Sequence, residues 1–165
     1  MNNGFDARKY SELAQSHYKK HQQLVNKLRK KKLRKLDELV QQWDAELFEE
    51  INCLDCANCC RSLGPRVTET DIKRISKHLK LSTTVFIDQY LRIDEDNDYV
   101  FQAMPCPFLL DDNYCVIYEK RPKACRDYPH THQPGFQKKL KLSLKNTITC
   151  PVVYTVFQKL NDSFS

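Results

Sequence analysis

Glycine is scarce in this chain of 165 residues, with only three present. Neither GxGxxG nor GxxxxGK[ST] occurs, which excludes the glycine-rich loops that cradle nucleotide phosphates. Neither GxSxG nor HExxH is found. No other catalytic motif is recognised, so an enzymatic role is not expected. No apolar run approaches the ~18 residues of a membrane-spanning helix, and no membrane partner is expected. The opening MNNGFDARKYSEL lacks a basic stretch followed by an apolar one. It therefore does not read as a secretory signal, and the expected compartment is the cytoplasm. Proline and glycine are both absent between Phe5 and Gly64, so nothing punctuates the first third of the chain.

Positive charge is concentrated in that unpunctuated stretch. Residues 1–42 hold eleven Lys and Arg against four Asp and Glu, whereas the remainder holds 16 against 17. Arg29, Lys30, Lys31, Lys32, Arg34 and Lys35 are the densest part. Leu24, Leu28, Leu36, Val40, Trp43 and Leu47 recur at helical spacing, and Val25, Leu33 and Leu39 widen the stripe. This pattern predicts a long amphipathic helix over about residues 20–50, preceded by a shorter one near 6–18, with Asp44, Glu46, Glu49 and Glu50 closing its far end. Residues 1–50 thus form a basic helical segment and residues 51–165 a separate domain. The cation cluster admits two readings. One is a nucleic-acid-binding helix that neutralises phosphates, with His17, Tyr18 and His21 as the only stacking groups. The other is a solvated face on a packed helix, and it is the one expected here.

Beyond Gly64–Pro65 the elements are short. Thr68 begins a helix supported by Asp71 three residues on, with Ile72, Ile75 and Leu79 on its buried side. Ser82 or Thr83 caps a second helix carrying Val85, Phe86 and Tyr90. Residues 94–98 (DEDND) form a polar turn. They do not make a calcium loop, because Tyr99 and Pro105 stand where Gly and Glu are needed. YVFQAM (99–104) reads as a strand, and PFLL (107–110) with YCVIY (114–118) reads as a hairpin around residues 111–113. Pro122 opens a short helix through Arg126, and Pro129 ends it. Residues 136–147 fit a helix or a strand equally. Thr149 is placed to cap a last helix with Val152, Val153, Val156, Phe157 and Leu160 facing inward. The expected fold is mostly α with a small β-hairpin (α+β): a small metal-stapled domain with a long N-terminal helix.

The abundant residue is cysteine. There are eight: Cys53, Cys56, Cys59, Cys60, Cys106, Cys115, Cys125 and Cys150. In a reducing compartment so many thiols point to metal ligation or redox chemistry rather than to four disulfides. The first four make CxxCxxCC, and CxxC spacing turns two thiolates toward one cation. The other four are dispersed over separate elements, which is how a fold wraps an ion. Which cysteines share a site is left open by the spacing, and some are equally explained as small buried apolar residues. Thiolates suit both zinc and iron–sulfur clusters. CxxCxxC resembles the first three ligands of a bacterial ferredoxin motif, and Cys106–Pro107 or Cys150–Pro151 offers a remote Cys-Pro ligand. His130 and His132 follow closely and are weaker ligand candidates.

These residues also resemble a known family. Cys53-Leu-Asp-Cys56-Ala-Asn-Cys59-Cys60, Cys106-Pro107-Phe108-Leu109, and Cys115-Val-Ile-Tyr118-Glu119-Lys-Arg121-Pro122-Lys-Ala-Cys125-Arg126-Asp-Tyr128-Pro129 match the signature of the YkgJ-like CxxCxxCC cysteine-cluster proteins. The resemblance covers about residues 51–151. It implies zinc or iron chelation and no defined reaction. Arg61, Arg121 and Arg126 adjoin cysteines and would offset thiolate charge through hydrogen bonds, or else pair with Glu119 or Asp127. Tyr118, Tyr128 and Phe108 would exclude water from the site, or simply pack the core. The expectation is a protein that chelates Zn²⁺ through its eight cysteines for structural ends. An iron–sulfur protein serving electron transfer or a redox enzyme is the alternative, and nucleic-acid binding ranks third.

Overall fold

The structure, a computed structural model, describes residues 6–164. Residues 1–5, where the expected basic segment begins, and residue 165 lie outside the described residues. The fold is mostly helical. In chain order the elements are α1 (Ala7–Leu28), α2 (Leu36–Glu50), α3 (Cys53–Cys56), α4 (Asn58–Ser62), α5 (Glu69–His78), α6 (Thr83–Tyr90), β1 (Leu91–Ile93), β2 (Tyr99–Phe101), α7 (Lys123–Asp127), α8 (Phe136–Asn146) and α9 (Pro151–Phe164). The chain divides into two compact units, Met1–Cys56 with Pro129–Ser165, and Ala57–Tyr128. None of the helices, among the described residues, is long and apolar enough to cross a membrane.

The first unit is built from helices packed on one another: α1 and α2 each lie against both α8 and α9, and α8 lies against α9. Asp6 starts α1 by accepting the Arg8 and Lys9 amides at 3.0 and 3.1 Å. The shorter helix expected near 6–18 is simply the first half of α1. The long helix expected over 20–50 is interrupted, because α1 stops at Leu28 and α2 starts at Leu36. The break falls on Arg29–Lys35. Like charges one turn apart repel along a helix, and a turn spreads them into solvent instead. The Gln137 amide holds the end of α1 by donating to the Leu28 and Lys31 carbonyls. Leu24, Val25, Leu28, Leu36, Val40 and Leu47 are buried as the periodicity predicts. Trp43 is only half-buried, and Asp44 is buried beside it with its carboxylate accepting the Thr131 hydroxyl.

The segment that fitted helix and strand equally is helix α8. Gly135 precedes it at φ 80°, a conformation open to glycine, and offers no side-chain cap. Asp37 of α2 supplies the cap instead, accepting the Gly135 and Phe136 amides at 2.6 and 2.9 Å. Helix α9 begins at Pro151, so Cys150 stands immediately before its first residue. The Tyr154 amide donates to the Cys150 carbonyl at 3.0 Å, and the Cys150 sulfur accepts the Val152 and Val153 amides.

In the second unit, Thr68 and Asp71 form a reciprocal capping box on α5, and Ser82 caps α6. Strands β1 and β2 pair antiparallel, Leu91 with Phe101 and Ile93 with Tyr99. Their turn is the acidic 94–98 segment, in which Asp94 accepts the Asp96 and Asp98 amides. The hairpin expected across 107–118 is reduced to one bridge, Leu109 with Cys115, followed by a 3-10 turn at Tyr118–Lys120. Pro105 and Pro107 lack amide donors and so curtail pairing there. Residues 51–66 contain the short helices α3 and α4. Val67, Ile72, Ile75, Phe86, Leu91, Phe101, Phe108 and Ile117 make the core, with Cys106 and Cys115 packed against it.

Candidate metal centre

No disulfide joins any two of the eight cysteines. Five lie in the unit of residues 57–128. Cys59 and Cys60 sit side by side on α4, with their sulfurs 4.0 Å apart. The Cys106 amide donates to the Cys60 carbonyl at 2.9 Å, which ties the chain after β2 to α4. The Leu109–Cys115 bridge and the Val116 amide on the Phe108 carbonyl then bring Cys115 back beside the Cys106 segment. Cys125 arrives on α7. That helix is anchored by Asp71, whose buried carboxylate accepts the Lys123 amide at 3.1 Å besides the Thr68 amide and hydroxyl and the Arg74 guanidinium. Burial would raise the Asp71 pKa, but these hydrogen bonds hold it below its ordinary value. From the sequence Asp71 reads only as a local cap. Its hold on the Cys125 helix depends on a residue 52 positions away.

The thiols in this unit act on one another. Cys125 is pushed up to about 12 by burial first, and then by Cys60, Cys106 and Cys115. Burial lifts Cys106 to about 11, with Cys115 and Cys60 adding to it, and burial likewise raises Cys115. Cys60 moves the other way, to about 7, because Cys59 hydrogen-bonds it and Arg61 and Arg121 lie near. Two sulfurs also receive a main-chain amide from two residues on, Phe108 to Cys106 and Ile117 to Cys115. Such donors favour a thiolate.

The expected arginines divide. Arg121 stacks on the Tyr118 ring at 3.8 Å, donates to the Tyr118 carbonyl, and lowers Cys60, Cys115 and Cys125. Arg61 lowers Cys60 while its guanidinium bonds Asn113. Arg126 bonds the Arg121 carbonyl at 3.0 Å. The alternative partner Asp127 is engaged by Lys123. Phe108 is buried in the core, whereas Tyr118 is exposed.

The remaining three cysteines belong to the other unit. Cys53 and Cys56 bracket the single turn of α3, and Cys150 stands at the start of α9. Cys150 is pushed up to about 12, chiefly by burial and further by Cys53 and Cys56, against the pull of the Val153 and Val152 amides. The Tyr10 phenol, which donates to the Thr147 carbonyl, is raised by burial and by Cys150 and Cys56. His130 bonds Gln133, and His132 is exposed and acts on Asp44. Among the described residues no three His, Cys, Asp or Glu side chains converge closely enough to hold an ion.

A family model described as "CxxCxxCC: Putative zinc- or iron-chelating domain" matches residues 52–151, more than half of the chain. The chain belongs to this family. The CxxCxxCC domain spans all eight cysteines and includes α8, which carries none. No curated protein and no solved structure matches the chain. Metal chelation, by zinc or iron, is the property the CxxCxxCC family brings. The donor set agrees with it in chemistry: soft sulfur ligands, amides aimed at sulfur, and a guanidinium nearby.

Proposed function

We propose that this protein binds zinc for structural ends, with Cys60, Cys106, Cys115 and Cys125 as ligands in the unit of residues 57–128. The observation that carries the reading is that Cys60, Cys106 and Cys115 all act on the buried Cys125 within one unit, where the Cys106 amide is bonded to the Cys60 carbonyl and the Leu109–Cys115 bridge returns Cys115 to that segment. Zinc bound to four thiolates has no open position and serves to fix structure. The chain's part is to present the sulfurs and offset their charge. Phe108 and Ile117 donate amides to sulfur, Arg121 faces three of the four thiols, and Asp71 holds the helix that carries Cys125. Cys59 stands beside Cys60 as a neighbouring donor. Cys53, Cys56 and Cys150 form a second donor group, with Cys150 supported by the first amides of α9. Thiols kept reduced for this purpose fit a cytoplasmic protein.

The test is elemental mass spectrometry on untagged protein purified without oxygen. Zinc at two atoms per chain is expected, one lost in Cys125→Ser and the other in Cys150→Ser. Iron with acid-labile sulfide would replace this reading with an iron–sulfur protein. Protein that carries no metal and folds fully in chelator would overturn both.

A further inference from the structure

The strongest unassigned feature is a basic cleft in the helical unit, whose lining includes no cysteine. The α1–α2 turn presents Arg29, Lys30, Lys31, Lys32, Arg34 and Lys35, and all six are exposed. The start of α8 adds the exposed Lys138. The two segments are more than 100 residues apart and are joined by Gln137, which donates to the Leu28 and Lys31 carbonyls. Between them lies a cleft of about 570 Å³, lined by Arg29, Leu33, Arg34 and Asp37 on one side and by Gly135, Gln137 and Lys138 on the other.

Two properties decide what the cleft fits. Among the described residues, none of these seven cations makes an ion pair or a side-chain hydrogen bond, whereas Lys123, Arg74 and Arg66 elsewhere are each matched to an aspartate. The one carboxylate in the cleft, Asp37, is occupied by the Gly135 and Phe136 amides. The cleft is also nearly devoid of apolar anchors, with half-buried Leu33 its only large aliphatic side chain and no aromatic ring in its lining. Protein interfaces are anchored by buried aromatic and other large side chains, and stable membrane attachment pairs a basic patch with an apolar face or an acyl chain. Of the rings that could have stacked on bases, His21 is fully buried, His17 bonds Tyr154 at 2.6 Å, and the half-buried Tyr18 is not part of the cleft lining.

From this geometry we infer that the α1–α2 turn and the start of α8 form a binding surface for the phosphate backbone of a nucleic-acid duplex, independent of base sequence. Closely spaced phosphates match closely spaced, unneutralised cations, and release of condensed counterions drives the association. The inference is independent of which metal the cysteines hold.

The test is fluorescence anisotropy of a mixed-sequence duplex titrated with the full-length, metal-loaded protein over a range of KCl. Four to seven engaged phosphates give a slope of log affinity against log salt of about −4 to −6. The quadruple variant Lys30→Gln, Lys31→Gln, Lys32→Gln, Lys138→Gln should bind at least about tenfold more weakly and lose about one unit of slope per lysine engaged. An equal charge change at exposed positions elsewhere, Lys19→Gln, Lys20→Gln, Lys73→Gln and Lys77→Gln, should change affinity less than about twofold. Far-UV circular dichroism confirms that both variants fold, and Arg29→Gln with Arg34→Gln replaces the quadruple variant if it does not. Absent or salt-independent binding, equal loss in both variants, or polyglutamate or phosphatidylserine vesicles competing as well as the duplex would each overturn the proposal.

Discussion

A single histidine carries the clearest acid sensitivity. His21 is fully buried against the rings of Tyr154 and Phe157, at centroid distances of 5.6 and 5.3 Å. Its ring nitrogens make no hydrogen bond of ordinary geometry, although Gln158 offers some compensation. Burial first, and the neighbouring His17 second, depress its pKa from 6.5 to about 4. The folded state therefore holds His21 neutral where the unfolded chain has already taken up a proton. Stability from this residue is complete above pH 6.5, falls as the pH drops toward 4, and levels off below that. Urea unfolding midpoints across that window should slope downward with acidification in the parent and markedly less in His21→Phe. Equal slopes would assign the acid sensitivity to other groups. Asp71, with its pKa held low, contributes in the same direction but only in the carboxylate range, and Asp44, with its pKa raised by burial, opposes it there.

At the scale of elements, what could be read in the chain depended on how far away the deciding group lay. The capping box of α5 was legible because Thr68 and Asp71 are three residues apart. The buried faces of α1, α2 and α9 were legible because apolar spacing is local. Helix α8 was not, because its cap is Asp37, nearly 100 residues earlier. Removing that cap by Asp37→Ala strips two amides of a charged acceptor and should cost about 1–2 kcal/mol in urea unfolding, with Asp37→Asn losing less. No change in Asp37→Ala would mean that packing alone holds the start of α8. The interruption of the N-terminal helix was hidden for another reason: it uses charge crowding at 29–35 rather than proline or glycine. The cysteines announced their chemistry by type and spacing, but their grouping did not follow from either. Cys115 is returned to the segment that follows Cys106 by the single Leu109–Cys115 bridge, and Cys125 is placed by a buried aspartate two helices earlier.

For the whole molecule, the two units differ in what sustains them. Residues 57–128 form a two-stranded hairpin and short helices around eight core side chains, whereas the other unit rests on α1 and α2 packed against α8 and α9. Small cores are often completed by a bound metal, and ligation then becomes part of the folding free energy. Chelation under reducing conditions should therefore expose amides of α7 and the Leu109–Cys115 bridge to hydrogen exchange before those of α2 and α8. Uniform loss of protection, or none, would contradict this division.

The helical unit is also discontinuous: the chain leaves it after Cys56 and re-enters at Pro129. Synthesis runs from the N terminus, so α1 and α2 emerge from the ribosome without the helices they pack against. The inserted residues 57–128 are complete first and can fold as a unit while translation continues. Only when α8 and α9 emerge can the hydrophobic faces of α1 and α2 be covered. During that interval the apolar side chains of Leu24, Leu28, Leu36 and Val40 stand uncovered on the nascent chain, and this is the stage at which a chaperone would be needed.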